Sequence, residues 1–309
     1  MEVKKIGLLG GRGYVGQEIF KVLSKHELLN IATVFSSSKS GQQVNQDMSK
    51  SLIYQDLNID KIKFTDEDAF ILALPDNQSQ PYIDLILQHN SEAIIIDLSA
   101  DKRFDDDWEY RVPELSRAVQ SLKISNPGCY ASAMQFMLAP LENVLDGPAH
   151  FFGISGYSGA GATPNNRNNL ESLKDNILPY SLVSHLHEKE VKTNCYPNAL
   201  FTPHVGNFFR GILITGNFTL TSTIASEDVS NIFKRYYENK ELFFIQDNVP
   251  NMQVVQNTSK VIIGGFEFDE KINRLTFCCT LDNLLKGAAT QAVQNLNSAF
   301  GWEDNFGII

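Results

Sequence analysis

The sequence predicts an α/β protein in two parts: a doubly wound parallel sheet, then an α+β part whose sheet is mixed or antiparallel. Three observations predict it. Short apolar runs alternate with helical patterns through the first third of the chain, which is the signature of parallel strands joined by crossover helices. A glycine-rich turn connects the first run to the first helical pattern. Beyond the middle of the chain the runs become frequent, rich in β-branched and aromatic residues, with few helical patterns between them.

Composition bounds the rest. The 309 residues suffice for two domains with substantial cores, and 43% hydrophobic with 20% charged residues is ordinary for a soluble globular chain. A net charge of −10, from 26 basic and 36 acidic residues, argues against nucleic acid or an anionic membrane as partner. An anionic small molecule would therefore need local Arg, Lys or helix N-termini. No apolar run approaches the ~20 residues of a membrane span. The start, Met1-Glu2-Val3-Lys4-Lys5, carries no signal-peptide pattern. Four cysteines without CxxC or Cys/His metal spacing fit a reducing cytoplasm, and no metal site is expected.

Residues 5–9 form the first expected strand, followed by Gly10-Gly11-Arg12-Gly13-Tyr14-Val15-Gly16 and a helical pattern to Leu23. Glycines at 10, 13 and 16 give a GxxGxxG variant of the dinucleotide fingerprint. Gly10 permits the tight turn, Gly13 lets the backbone approach a pyrophosphate, and Gly16 lets the helix pack on the strand. Tyr14 and Val15 open that helix and join the cofactor-binding set. This is a Rossmann-type arrangement. The second strand, 30–35, runs into Ser36-Ser37-Ser38-Lys39 instead of the Asp or Glu that usually holds an NAD ribose. Hydroxyls at Ser36 and Ser38 with the Lys39 cation suit a 2′-phosphate, so NADP is the expected cofactor.

Strands are expected at 69–74 and 93–98, with a helix at 81–89 between them. The second of these strands leads into Asp97-Leu98-Ser99-Ala100-Asp101-Lys102-Arg103, beyond a carboxyl end where such sheets bind ligands. Arg103 is thus a candidate for an anionic substrate group. Asn126-Pro127-Gly128-Cys129-Tyr130 then opens an apolar helical run, 131–141. Pro and Gly fit a helix start, which sets Cys129 in a first turn whose N–H groups and dipole favour the nucleophilic thiolate.

In the second part, strands are expected at 151–155, at Phe201, and at 211–217, 218–224, 259–268 and 275–280. Gly156-Tyr157-Ser158-Gly159-Ala160-Gly161 reads as a flexible loop able to close on substrate or cofactor, which makes Gly156 a substrate-side candidate beside Arg103 and Asn126. Asn165-Asn166-Arg167-Asn168-Asn169 reads as a mobile polar loop. A helix is expected at 227–238, entered through Ser226. The last helix, 283–300, carries Leu284, Leu285, Ala288, Ala292, Val293 and Leu296 on one apolar face and is expected to return to the first domain. The domain reading is 1–128 with 284–309 for the dinucleotide and 129–283 for catalysis and oligomerisation.

His185 and His187, with Glu190 nearby, offer the proton chemistry near neutral pH that a thiolate needs; two clustered histidines without a third ligand make a poor metal site. His204 reads as structural. Cys195, Cys278 and Cys279 lack a helix N-terminus or basic setting, and the adjacent pair in a strand faces opposite sides.

With these segments in hand, the sequence resembles the N-acetyl-gamma-glutamyl-phosphate reductase family of NADP-dependent acyl-phosphate reductases. The likeness rests on Gly10 to Gly16, Ile96-Asp97-Leu98-Ser99-Ala100-Asp101, Pro113-Glu114-Leu115 and Asn126 to Tyr130. It continues through Ser155 to Gly161, His185-Leu186-His187 with Glu190, Phe201-Thr202-Pro203-His204, Arg210-Gly211-Ile212-Leu213 and Asp282-Asn283-Leu284-Leu285-Lys286-Gly287-Ala288-Ala289. Ala131-Ser132 stands where relatives usually have Pro-Thr, and Lys189 where they have Pro. The resemblance implies a nucleophile at Cys129, a proton-handling His185, and His187 and Glu190 in support. It further implies that Arg103 holds the substrate phosphate, that Asn283 contacts the cofactor, and that the chain is a homo-oligomer, dimer or tetramer, reducing an acyl phosphate to an aldehyde through a Cys129 thioester. The other readings are an aminoadipyl- or aspartyl-phosphate reductase of the same architecture, and a non-catalytic NADP-binding regulator.

Overall fold

A computed structural model describes residues 2–44, 52–221 and 229–308. The chain divides into two compact units, Met1–Pro127 with Ala288–Ile309, and Gly128–Gly287.

The first unit holds β1 (Lys4–Leu9), α1 (Tyr14–Leu23), β2 (Leu29–Ser36), β3 (Gln55–Asp56), β4 (Ala69–Leu72), α2 (Gln80–His89), β5 (Ile94–Asp97), β6 (Glu109–Tyr110) and β7 (Lys123–Ser125). Its sheet runs β3-β2-β1-β4-β5-β7-β6 with every pairing parallel. The order reverses between β1 and β4, the point at which such sheets take their ligand. The apolar strands are continuous because both faces are covered. Ile6, Leu8, Ile71 and Ile96 face one core with Ile19 and Phe20 of α1; Leu9, Phe70, Leu72 and Ile95 face the other with Ile83 and Ile86 of α2. The expected strands stand within two residues of their predicted ends. β3, β6 and β7 are two or three residues long, too short for alternation to be legible in sequence.

The expected helix at 283–300 is not uniform. A π turn, Leu285–Ala289, precedes an α-helix, Thr290–Ala299. The latter half does return: Ala292, Val293 and Leu296 pack into the first unit's core. Polar ties lock it there, with Asn295 accepting from Arg111 Nη1 at 2.9 Å and Asn297 facing His26 at 3.0 Å.

The second unit holds α3 (Cys129–Leu138), β8 (Ala149–Gly156), α4 (Leu170–Leu173), β9 (Ile177–Pro179), α5 (Leu186–Asn194), β10 (Ala199–Gly206), β11 (Ile212–Thr219), α6 (Val229–Tyr236), β12 (Phe243–Gln246), β13 (Val261–Asp269) and β14 (Arg274–Leu281). Its sheet is mixed, ordered β12-β13-β14-β11-β8-β10-β9, with β8/β10 and β12/β13 parallel and the other neighbours antiparallel. The runs at 211–217 and 218–224 are one strand as far as Thr219: alternate burial of Ile212, Ile214, Gly216 and Phe218 passes through Asn217 without a turn. Residues 222–224 and the proposed cap Ser226 lie outside the described residues. α5 was not legible as a helix, because its buried side chains are mostly Glu188 and Glu190, not an apolar stripe. The run at 156–161 is no free loop. Gly156, Tyr157 and Ser158 donate backbone N–H bonds to Gly211, Phe208 and Phe209 at 2.9, 2.9 and 3.0 Å, and 157–160 form a 3-10 turn. A Cβ on Gly156 would lie 2.5 Å from the Phe209 carbonyl, so glycine here serves close backbone approach. The asparagine run at 165–169 is likewise tied down, its side chains bonding the carbonyls of Ala160, Gly161 and Thr163.

Candidate active site

The site in the second unit is built on the first turn of α3. Gly128 is its N-cap, extended at φ −72° and ψ 151°, and has no side chain to satisfy the helix end. Glu190 supplies that function from α5: its buried carboxylate accepts the Gly128 N–H at 2.7 Å. One backbone bond thus fixes α5 to the turn that carries Cys129, which is half-buried. Tyr130, the next residue, is buried and donates its hydroxyl to the His204 carbonyl at 2.7 Å. His204 contributes that main-chain anchor, and its ring packs on Phe152 at 4.3 Å.

From the other side, the π turn closes on the same residue. A Cβ built on Gly287 would lie 2.7 Å from Cβ and 3.3 Å from Cα of Cys129. Only glycine permits this approach, and π turns are frequent at functional sites. Asp282 holds the turn in place. Its buried carboxylate binds Arg210 through Nε at 2.6 Å and Nη2 at 3.1 Å, and accepts the backbone N–H groups of Asn257, Leu284 and Leu285. Asn283 accepts the Gly211 N–H at 2.7 Å and donates to Ser158 Oγ at 2.9 Å. This segment carries part of the family likeness in the sequence, and the fold sets it against Cys129.

His185 is the N-cap of α5, and its Nδ1 accepts the His187 N–H at 3.1 Å. That bond settles the tautomer: the neutral ring carries its proton on Nε2. Around it stand Tyr130, Tyr180, His187 and Phe201, with ring centroids 6.4, 5.4, 5.0 and 5.3 Å away. Burial, with the positive charge of Arg167 adding to it, lowers the His185 pKa to about 4. Burial likewise pushes the Tyr180 phenol up to about 12 and raises that of Tyr130, so both remain neutral hydrogen-bonding groups. Among Cys129, His185, His187 and Glu190, the cysteine turn is joined to α5 by Glu190, while the two histidines meet at the start of that helix.

The other cysteines stand apart. Cys279 is buried in β14, where burial raises its pKa; Cys278 points the opposite way, 3.5 Å from Thr215 Oγ1; Cys195 caps the C-terminus of α5. Among the described residues no group of three or more His, Cys, Asp or Glu could hold a metal ion.

In the first unit the glycine turn fits a dinucleotide. Gly10 has φ +82°, and a Cβ there would lie 2.2 Å from the Ala73 carbonyl at the switch point. A Cβ on Gly16 would meet the Gly10 carbonyl at 2.6 Å, whereas the one on Gly13 finds only an ordinary 3.4 Å contact. The crowded glycines shape the turn, and the open one leaves room for a ligand. The first turn of α1 starts at Tyr14 without a side-chain cap, so the N–H groups of Val15 and Gly16 have no partner within the helix. Ser36 ends β2 buried, and Ser38 and Lys39 follow it exposed, with no carboxylate among them. Arg103 is buried, donating Nε to the Asn126 carbonyl at 3.0 Å and Nη2 to the Leu98 carbonyl at 2.8 Å. Asn126 is buried as well, and its Oδ1 accepts from Asn295 at 3.0 Å. Each of these two residues therefore braces the first unit, whatever it also binds.

A parallel sheet with a phosphate-type turn, joined in one chain to a cysteine-bearing helix start, is the equipment of a cysteine-dependent dehydrogenase. The chain belongs to the semialdehyde dehydrogenase family: its NAD binding domain matches residues 5–122 and its dimerisation domain residues 129–283. Among its relatives is the N-acetyl-gamma-glutamyl-phosphate reductase of Xanthomonas axonopodis pv. citri, 41% identical over 98% of both chains. Protein arg11, mitochondrial, of Schizosaccharomyces pombe is 39% identical over 98% of this chain and 35% of its own length. In structure the chain resembles aspartate semialdehyde dehydrogenase II of Vibrio cholerae, at TM-score 0.81 and 16% identity over 97% and 99% of the two chains. It also resembles the Candida albicans aspartate semialdehyde dehydrogenase solved with NADP, at TM-score 0.75 and 16% identity over 99% and 100%. At such identities these structures establish the fold alone.

Two expectations follow. Gly287→Ala forces Cys129 aside, and because an ångström of misplacement can cost ~10²-fold in rate, turnover should fall about that much while dinucleotide affinity of the purified variant, measured by fluorescence titration, stays unchanged. An unchanged turnover number would separate Gly287 from the nucleophile. The second concerns pH. His185 is neutral when folded down to about pH 4, but in the unfolded chain it takes up its proton near 6.5. The unfolded state therefore binds more protons between those values, and the fold loses stability as pH falls through that window. His185→Asn should lose less stability than the native chain between pH 7 and pH 5, read from urea midpoints; an equal loss would contradict the lowered pKa.

Proposed function

We propose that this chain reduces N-acetyl-gamma-glutamyl phosphate to N-acetylglutamate 5-semialdehyde and phosphate, with NADPH, in arginine biosynthesis, and that it does so through a thioester on Cys129. The observation that carries the reading is full-length 41% identity to a reductase of that name, in a chain whose cysteine opens a helix bound by Glu190 and abutted by Gly287. NADP is preferred to NAD here because Ser36, Ser38 and Lys39 offer hydroxyls and a cation at the end of β2. The proposed domains are 1–128 with 284–309 for NADP and 129–283 for catalysis and assembly into a dimer or tetramer. The proposed location is the cytoplasm.

In this reading the Cys129 thiolate attacks the acyl carbon, and the C–O bond to phosphate breaks with its electron pair leaving on phosphate. Arg103 holds that leaving anion. Bound NADPH supplies the hydride that reduces the acyl carbon. The oxygen that becomes negative is met by His185 Nε2–H, since Nδ1 is occupied by the His187 N–H, and by backbone N–H groups of the α3 turn. The C–S bond then breaks, releasing the aldehyde and restoring the thiolate. Glu190 keeps the turn in register, and His187 fixes the His185 ring. Asn126 and Gly156 shape the substrate side. Asn283 has one Nδ2 hydrogen and one Oδ1 lone pair beyond its two internal bonds, which it offers to the cofactor.

The assay is NADP reduction with N-acetylglutamate semialdehyde plus phosphate, run beside aspartate semialdehyde. Turnover of the first and loss of at least ~10³-fold in Cys129→Ser are expected. Preference for aspartate semialdehyde would replace the substrate, and NADPH binding without turnover of either would favour a regulator.

A further inference from the structure

Arg167 belongs to the polar run 165–169, and the structure gives it a position no mobile loop requires. Its backbone N–H is held by Asn165 Oδ1 at 2.9 Å, and Asn165 is itself bound to Asn168 and to the carbonyls of Ala160 and Thr163. The loop is a frame, and what it presents is the guanidinium. That group lies over the Tyr180 ring, 4.8 Å from its centroid, and Tyr180 is in turn 5.4 Å from His185. The chain has ten more acidic than basic residues, yet no carboxylate among the described residues pairs with Arg167. Its charge is felt by the site, since it lowers the proton affinity of both His185 and Tyr180.

A guanidinium carries five N–H donors, so its contact with the Tyr180 ring and hydroxyl leaves others of the fork for a carboxylate, which arginine binds bidentately. The substrate of the reaction proposed above carries two anions: the phosphate that leaves and a carboxylate that does not react. We propose that Arg167 is the receptor for that carboxylate, holding the acyl chain by the end remote from the bond that Cys129 attacks. The proposal rests on the functional reading and deepens it. A carboxylate seated there restores charge balance beside the neutral imidazole and gives the site a reason to reject acyl chains without an α-carboxylate.

The test compares two aldehydes, N-acetylglutamate semialdehyde and 4-acetamidobutanal, which differ only by the carboxylate. The native enzyme should prefer the first, and Arg167→Gln should lower kcat/KM about 10²-fold for it while changing 4-acetamidobutanal less than about threefold, so that the preference collapses. Arg167→Lys, which keeps the charge without the fork, should fall between. NADP affinity of each variant reports that the fold is intact. Equal losses on both aldehydes, or a preference that survives in Arg167→Gln, would overturn the proposal, as would a native enzyme that does not distinguish the pair. If the native chain instead turns over aspartate semialdehyde alone, the functional reading fails, and the same comparison, made with aspartate semialdehyde and 3-aminopropanal, still decides the role of Arg167.

Discussion

The buried carboxylate of Asp282 is the constraint on which the Cys129 region of the second unit depends. It accepts from Arg210, from Asn257 and from the backbone N–H groups of Leu284 and Leu285 at the entry to the π turn, and it has no exposure to solvent. A charge in that position is tolerated only because every part of it is bonded. Removing one partner of such a pair typically costs ~3–5 kcal/mol, a large share of a domain's stability. The consequence is local and geometric. With Asp282 fixed, the turn that follows brings Gly287 against Cys129, so that Cys129 is confined by this turn on one side and by the helix start that Glu190 braces on the other.

Electrostatics in the site follow from the same economy. The chain is acidic overall, and two of its cations are supported locally: a buried Arg103 braced by main-chain carbonyls in one unit, an Arg167 braced on Tyr180 in the other. The imidazole between the tyrosines is kept neutral by burial and by that second cation, and its free nitrogen carries a hydrogen. A neutral donor stabilises an oxygen as it becomes negative without burying another unpaired charge. The carboxylate of Glu190 accepts a backbone N–H at the start of the Cys129 helix, which makes it a brace for the turn.

Much of this was legible in the sequence, for reasons that differ by element. Strands such as 69–72 and 94–97 are buried on both faces, so their sequences are apolar runs, broken only by Asp97 at the end of the second, that no other structure explains as well. Glycines 10 and 16 stand where a Cβ would strike a carbonyl, and their spacing alone reports it. The Cys129 helix start showed itself through Pro127 and Gly128. Other parts left no such trace. α5 buries glutamates whose partners are backbone N–H groups on distant segments, so its helix looks like a polar loop. The tie between 156–158 and 208–211 depends on pairing between segments some fifty residues apart in sequence, and glycine content there suggested freedom instead of close approach. Arg167 and Gly287 acquire meaning only from what lies beside them: one an aromatic ring, the other the β-carbon of Cys129. Charge count and spacing carry no information about either neighbour.

A covalent step through Cys129 is the claim on which the rest turns. Mixing the enzyme with N-acetyl-gamma-glutamyl phosphate in the absence of NADPH, quenching in acid and mapping the digest by mass spectrometry tests it most directly. The account predicts an acyl group on the peptide that contains Cys129, discharged when NADPH is added before the quench. An unmodified Cys129 peptide, or an acyl group found on Cys195 or Cys278 in its place, would contradict it.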